Sequence, residues 1–503
     1  MNRRLLLIFV LLLSLLPSLY LAYLHMIDSF LYTPLSEVSS GIYQGKLSEI
    51  NPDQPIYVVI LYTISAICNI SPLQLAYLPI GAVIFPLCIY ALARRLLKSR
   101  TIPILLLLYF AFDFSLYQGQ YNVLAYAWAH PLFIIFVLLY IMYSTSNERN
   151  PGLILLILVV FTSIVFLHPT YVFWAVSFAV GLNVITVVSK LTHLPKIDLV
   201  PTFYLTIALF IIYFGFNQLY FGFYLHRVIL IEPDVISEQF VTMIRSFLGI
   251  SAPLIAPYQI WVGPPTTVIG YAAFARTTLL VSCILIGVLA WIKKNHREFA
   301  KRFDNSLVLM VALLLAGMMH TIGYAVYGHI SMRFMILIFP IIAVFLLRKA
   351  DLRRTAIVFV SLIIVLAFSQ TISYVASDPE VDNVDIETAP YANWLISHTE
   401  GEVVLLSDFR TSQITKYHFK SVGREILQRF YTSEVYAQIV TGDDQVTITE
   451  FVALNWEFDS TPSVSWATFE PIKNYEAEIG DNSNLNGIYD DGRISLMRSN
   501  YFQ

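Results

Sequence analysis

Uninterrupted apolar runs, repeated from the N-terminus to about residue 374, constrain this chain more than any other feature. A helix that crosses a bilayer needs roughly 20 mostly apolar residues. Eleven segments read as spans, near 5–24, 73–93, 101–117, 125–144, 151–168, 170–189, 202–221, 272–292, 306–325, 334–347 and 355–374. Only 13% of the residues are charged, against about 25% in soluble domains. A single soluble globular domain, a disordered chain, a collagen and a coiled coil are thereby excluded. Arg3 and Arg4 precede the first run, but no small-x-small cleavage pattern follows it, so it reads as an uncleaved anchor. Cys68, Cys88 and Cys283 all lie in apolar stretches and spell neither a disulfide framework nor a zinc pattern.

Lys and Arg placement sets the orientation. With the N-terminus inside, 18 cations fall on inner segments, among them Arg94, Arg95, Lys293, Lys294, Arg348 and Lys349. Only five fall outside: Lys46, Arg227, Arg245, Arg276 and Arg333. Residues 55–68 are apolar but short, and a crossing there would invert every later loop. They read as an interfacial or re-entrant helix within a first outer loop, 25–72. A second long outer loop spans 222–271. The expectation is an integral protein of the cytoplasmic membrane with its C-terminal segment outside.

The total net charge of −3 hides a split. Residues 375–503 hold 21 acids and 8 cations, so this segment is strongly acidic and the membrane part, 1–374, is basic. A near-neutral total gives no support for a nucleic-acid partner. Glu402–Ser407 reads as a buried strand, Ala389–Ile396 as a helix, and Gly487–Arg498 as a hairpin turning at Asp-Asp-Gly. The fold class expected is mainly α: a polytopic bundle of about 11 transmembrane helices with a small extracytoplasmic α/β C-terminal domain.

Ionisable residues near membrane depth are expensive and mark function by default. Those on the outer side of this topology gather at span ends. Asp28 follows the first span, with Glu37 further along the same loop; Asp113 ends the third span, and His168 closes the fifth before Pro169. Arg333 precedes the tenth span, Arg245 lies in the 222–271 loop, and Arg276 lies near the outer end of the eighth span. Carboxylates on one face hold a divalent cation through hard oxygen ligands or take a proton from an acceptor hydroxyl. An Arg at that depth suits a phosphate. The set describes a site where the head group of a lipid phosphate is transferred.

These residues resemble the GT-C class of integral-membrane glycosyltransferases, and the archaeal members in particular. The likeness rests on the acidic loop opening at Asp28, on Ser40-Gly41-Ile-Tyr-Gln-Gly45 followed by Pro55-Ile-Tyr57, and on Ala91-Leu-Ala-Arg94-Arg95. It also rests on Ser331-Met-Arg333-Phe334 before Pro340, on Trp394-Leu395 and on Leu406-Ser407-Asp408-Phe409. The resemblance implies a donor sugar carried on a polyprenyl phosphate, a protein or glycan acceptor in the cell envelope, and hexosyl or pentosyl transfer. It assigns Asp28 and Asp113 as catalytic acids and as ligands of a divalent cation, Mg or Mn. Arg333, with Arg276 or Arg245, holds the donor phosphate beside His168 and Glu37. One departure is that Asp28 is followed by Ser29, where many members carry a second acid. The alternatives are a non-catalytic relative, a cell-surface scaffold, and a lipid or solute transporter. Transporters usually carry internal repeats, and none is evident. No Walker or Gly-x-Gly-x-x-Gly pattern occurs, which favours a lipid-linked donor over a nucleotide sugar.

Overall fold

A computed structural model describes residues 8–13, 15–16, 32–47, 55–76, 80–97, 99, 101–112, 125–146, 150–167, 169–192, 199, 202–220, 268–295, 304–325, 333–376, 384–407, 409–430, 451–455, 485–490 and 494–499. The described chain is mainly helical, with one small sheet.

The apolar runs form the helices Ile80–Leu97, Ile102–Phe112, Ala125–Ser144, Pro151–Leu167, Pro169–Leu191, Phe203–Tyr220, Val268–Asn295, Asn305–Ala325, Arg333–Lys349 and Arg353–Ala376. The largest departure from expectation is the second span, which begins at Ile80 rather than near 73. Residues Pro72–Ala76 form a separate short helix. Ser71 and Gln74 cap it reciprocally: the Gln74 amide donates to Ser71 Oγ (3.1 Å) and the Ser71 amide to Gln74 Oε1 (3.2 Å).

Among the described residues, the helices over Tyr171–Leu191 and Thr278–Asn295 are long and apolar enough to cross a membrane by length and composition alone. Several shorter apolar helices accompany them. The helices are apolar on both sides. Inner faces interlock through Phe133, Tyr140, Trp174, Phe178 and Leu313, all fully buried. Outer faces carry Leu155, Val187, Leu191, Ile211, Leu289 and Val365, each more than half exposed. Water disfavours so much contiguous apolar surface, whereas lipid tolerates it. The bundle therefore has the surface of a membrane-embedded protein.

One end of the bundle is basic, and its cations are tied together. Lys294 pairs with Asp351, and Lys349 with Asp304. Asp304 also caps the helix that follows it, accepting from the Leu307 amide at 3.1 Å. Arg348 donates to the carbonyl of Leu97, and Arg95 Nη2 to Thr145 Oγ1 at 3.0 Å. The segments assigned to the inner side by charge thus meet one another. Near this end a buried polar network joins three helices. The Tyr140 hydroxyl lies 2.8 Å from Thr202 Oγ1 and 2.9 Å from Thr206 Oγ1. Asn183 donates to Thr206 Oγ1 (2.6 Å) and accepts from Thr202 Oγ1 (3.0 Å) and the Thr202 amide (3.2 Å).

The sheet has the order β2-β1-β3-β5-β4, with β1 Val403–Ser407, β2 Ile426–Phe430, β3 Phe451–Asn455, β4 Leu485–Asp490 and β5 Ile494–Ser499. Strand β1 runs parallel to β2 (Leu405 opposite Gln428) and to β3 (Leu405 opposite Phe451). Parallel neighbours need a crossover, and the helix Phe409–Ser421 supplies it between β1 and β2. Strands β4 and β5 form the expected antiparallel hairpin. Tyr391 and Leu395 of the helix Val384–His398, together with Phe419, close a core over Val403, Leu405, Phe451 and Leu496.

Candidate functional site

Away from the basic end, elements distant in sequence close a second apolar junction. Two helices come from the first loop, Tyr32–Gln44 and Pro55–Cys68. They contribute Leu35, Val38, Tyr57, Val58 and Leu61. Leu75, Leu167 at the end of the 151–167 helix, and Ile414 and Tyr417 from the 409–421 helix complete it. The 32–44 helix packs along the 409–421 helix. The first loop and the sheet-bearing segment therefore share one end of the bundle.

Two glycines allow this closeness. Gly41 lies inside the 32–44 helix, where a Cβ would meet Leu47 Cδ2 at 2.8 Å and the Tyr62 ring at 3.3 Å. Gly423 follows the 409–421 helix with φ +74°. Its amide donates to the Lys420 carbonyl (3.1 Å), and the Arg424 amide donates to the Phe419 carbonyl (2.9 Å). That is a Schellman cap, which needs a left-handed residue. The Tyr43 ring rests on this glycine, its Cε1 occupying the place where a Cβ would stand. Arg424 then fastens the sheet segment, donating to the carbonyls of Ile396 (2.6 Å) and Gly401 (3.0 Å) and to Thr399 Oγ1 (3.1 Å).

Of the residues singled out in sequence, Asp28, Asp113, His168 and Arg245 lie outside the described residues. Their neighbours are described. The 32–44 helix opens four residues after Asp28, the 102–112 helix ends just before Asp113, and the 151–167 helix ends just before His168. Arg333 opens its helix, at the end opposite Arg348 and Lys349. Its side chain is outside the described set.

Two candidates have described side chains. Glu37 is half-buried on the 32–44 helix, between the buried Leu35 and Val38. Arg276 is 1% exposed, about two turns into the 268–295 helix and far from Lys293 and Lys294. A guanidinium keeps its charge on burial, and burying that charge is costly unless oxygen acceptors surround it. Glu37 and Arg276 stand on separate elements. In the bundle, the buried His130 packs its ring against Tyr171 (4.9 Å) and Phe85 (5.5 Å). Among the described residues, no group of three His, Cys, Asp or Glu is placed to hold a metal ion.

Sequence reasoning missed Tyr57 and Trp128. Tyr57 is fully buried in the junction, and burial pushes its hydroxyl pKa well above the ordinary phenol range. Trp128 packs against the same cluster. Polar tips on aromatic rings inside apolar runs were the available signal. On the 409–421 helix, burial also lowers the pKa of His418.

No protein-family model matches the chain, and no curated protein matches it. Among solved structures, the chain is similar to the Archaeoglobus fulgidus oligosaccharyltransferase, crystallised with Zn and sulfate. The TM-score is 0.47 at 12% identity, over 98% of this chain and 73% of that one.

Proposed function

We propose that this chain is a membrane glycosyltransferase that moves a sugar from a polyprenyl-phosphate-linked donor to a protein or glycan acceptor at the extracytoplasmic face. The observation that carries this reading is the separation of the two ends. Paired cations gather at one end. The helix termini next to Asp28, Asp113, His168 and Arg333 point to the other, and Arg276 is buried toward it. The positive-inside rule makes the basic end cytoplasmic. Eleven crossings then divide the chain into a membrane part, 1–374, and an outer domain, 375–503. A crossing by the 55–68 helix would carry Arg94 and Arg95 to the outside and invert every later loop. The helix lies at the outer interface; the 222–271 loop, whose residues up to 267 lie outside the described residues, is the part of the chain assigned to close over the site.

In the reaction, the Asp28 carboxylate takes the proton of the acceptor hydroxyl. The freed oxygen attacks the anomeric carbon, whose bond to the phosphate oxygen breaks, and the sugar is inverted. The lipid phosphate leaves with the bonding electrons, and Arg333 and Arg276 offset its charge. Asp28 and Asp113 are hard oxygen donors of the kind that hold Mg or Mn, and such an ion would add positive charge at the leaving phosphate.

Asp28→Asn, Asp113→Asn and Arg276→Gln, each inserted and folded in nanodiscs, test this assignment. Loss of transfer by about a hundredfold or more in all three is the expected result. Full activity in the two Asp variants would refute it.

A further inference from the structure

The junction holds a feature that neither its packing nor the reaction above uses. Among the described residues of this cluster, two side chains bury a hydrogen-bond donor with no acceptor in reach: Tyr57 Oη and Trp128 Nε1. Buried donors left unsatisfied are destabilising and uncommon in folded proteins. Here two occur in one apolar cluster, on helices that follow the two acid-bearing loops. Tyr57 lies on the helix after the Asp28 segment, and Trp128 sits in the first turn of the helix after the Asp113 segment. Ser412 Oγ is a third such atom. It lies two turns before Phe419 on a helix whose Ser412 carbonyl accepts from Gln428 of β2, and is not part of the pair.

We infer that Tyr57 and Trp128 are the donor pair that receives hydroxyl oxygens of the lipid-linked sugar. This rests on the glycosyltransferase reading above. Both donors are neutral, and the surrounding Leu35, Val38, Val58, Leu61 and Leu167 are uncharged. A desolvated phosphate needs counter-charge; the half-buried charge between Leu35 and Val38 is the anionic Glu37, and the buried Arg276 stands on a separate element. A neutral sugar needs donors and apolar or aromatic walls, and the junction offers both. In the described state the donors are covered, so the sugar enters by displacing part of that cover. The 32–44 helix is the suitable piece: its inner face contributes Leu35 and Val38, whereas Ile42, Tyr43 and Gln44 are exposed.

The test uses Tyr57→Phe and Trp128→Phe in the full chain in nanodiscs. Binding is titrated with polyprenyl-phosphate glucose, polyprenyl-phosphate mannose and polyprenyl phosphate without sugar, and melting is followed in parallel. Each variant is expected to lose roughly three- to tenfold in affinity for the sugar-bearing lipids and nothing for the bare lipid phosphate. Tyr57→Phe is expected to melt at or above the wild-type temperature, because it removes an unsatisfied group. Unchanged sugar-lipid affinity in both variants overturns the assignment while leaving the transferase reading intact. Equal loss on sugar-bearing and bare lipids overturns the sugar as the ligand. A clear drop in melting temperature for Tyr57→Phe overturns the premise that its hydroxyl is unsatisfied. Failure of the wild type to bind any of the three lipids removes the transferase reading as well.

Discussion

Replacing Asn183 by Leu tests how polar groups hold the bundle together. The Asn183 carboxamide donates to Thr206 Oγ1 (2.6 Å) and accepts from the Thr202 hydroxyl (3.0 Å) and amide (3.2 Å). Its remaining bond, to the Ala179 carbonyl at 2.9 Å, is local. Leu fills nearly the same volume, so no cavity term enters. Three bonds to the 202–206 segment disappear. Inside a membrane such bonds average about 0.6 kcal/mol and reach about 2, and the stranded Thr202 amide adds about 1–3 kcal/mol. The expected loss is about 2–4 kcal/mol. Tyr140→Phe removes only the hydroxyl between Thr202 and Thr206. Both threonines keep other partners, since Thr206 still reaches the Thr202 carbonyl (3.1 Å) and Asn183, and the loss falls to about 1 kcal/mol. Unfolding equilibria in mixed micelles measure both. The network lies near the basic end, so donor-lipid affinity is expected to be unaffected in either variant. An Asn183→Leu protein as stable as wild type, or a costlier Tyr140→Phe, would refute this reasoning.

Other outcomes follow from the far end. Gly423→Ala forces a side chain into φ +74°, costing about 1–2 kcal/mol. Tyr43 is 63% exposed and can swing aside, so pairing the change with Tyr43→Ala is expected to recover little in a thermal melt. Arg424→Ala loses three hydrogen bonds and a guanidinium 5.1 Å from the Phe419 ring centroid. The expected cost is about 2–3 kcal/mol, with Arg424→Lys little better, as read from denaturant unfolding. Burial lowers the folded-state pKa of His418, so the unfolded chain takes up the proton first as pH falls. Its contribution is complete above about pH 6.5 and is lost as pH drops below that value toward the lower folded pKa. The wild type is therefore expected to lose more melting temperature between pH 7 and pH 5 than His418→Gln, and equal losses would count against a buried neutral imidazole.

Much of the helical framework was legible because apolar length is a strong signal. The 55–68 helix was legible too as a short apolar run opened by Pro55, and the structure ends it at Asn69, whose φ is 52°. The β4–β5 hairpin followed from its Asp-Asp-Gly turn and flanking strand residues. Other features depend on contacts between distant segments. The 32–44 helix runs through Gly41, a residue that weakens an isolated helix, because Tyr62 and Leu47 press against its bare Cα. Strand β3 carries no turn signal of its own and is set by pairing with β1 and β5. Charge counting placed Arg276 among the outer cations, and the structure buries it two turns into a helix. The same holds at Tyr57 and Trp128, whose donors lack acceptors only once three segments have folded together.

The most direct measurement is release of lipid phosphate by the purified protein in nanodiscs. It is incubated with a panel of polyprenyl-phosphate sugars and acceptors, with and without divalent cation. The account expects at least one sugar lipid to yield free polyprenyl phosphate and a glycosylated acceptor, with both products absent in Asp28→Asn. No release from any sugar lipid, or equal release by Asp28→Asn, would contradict it.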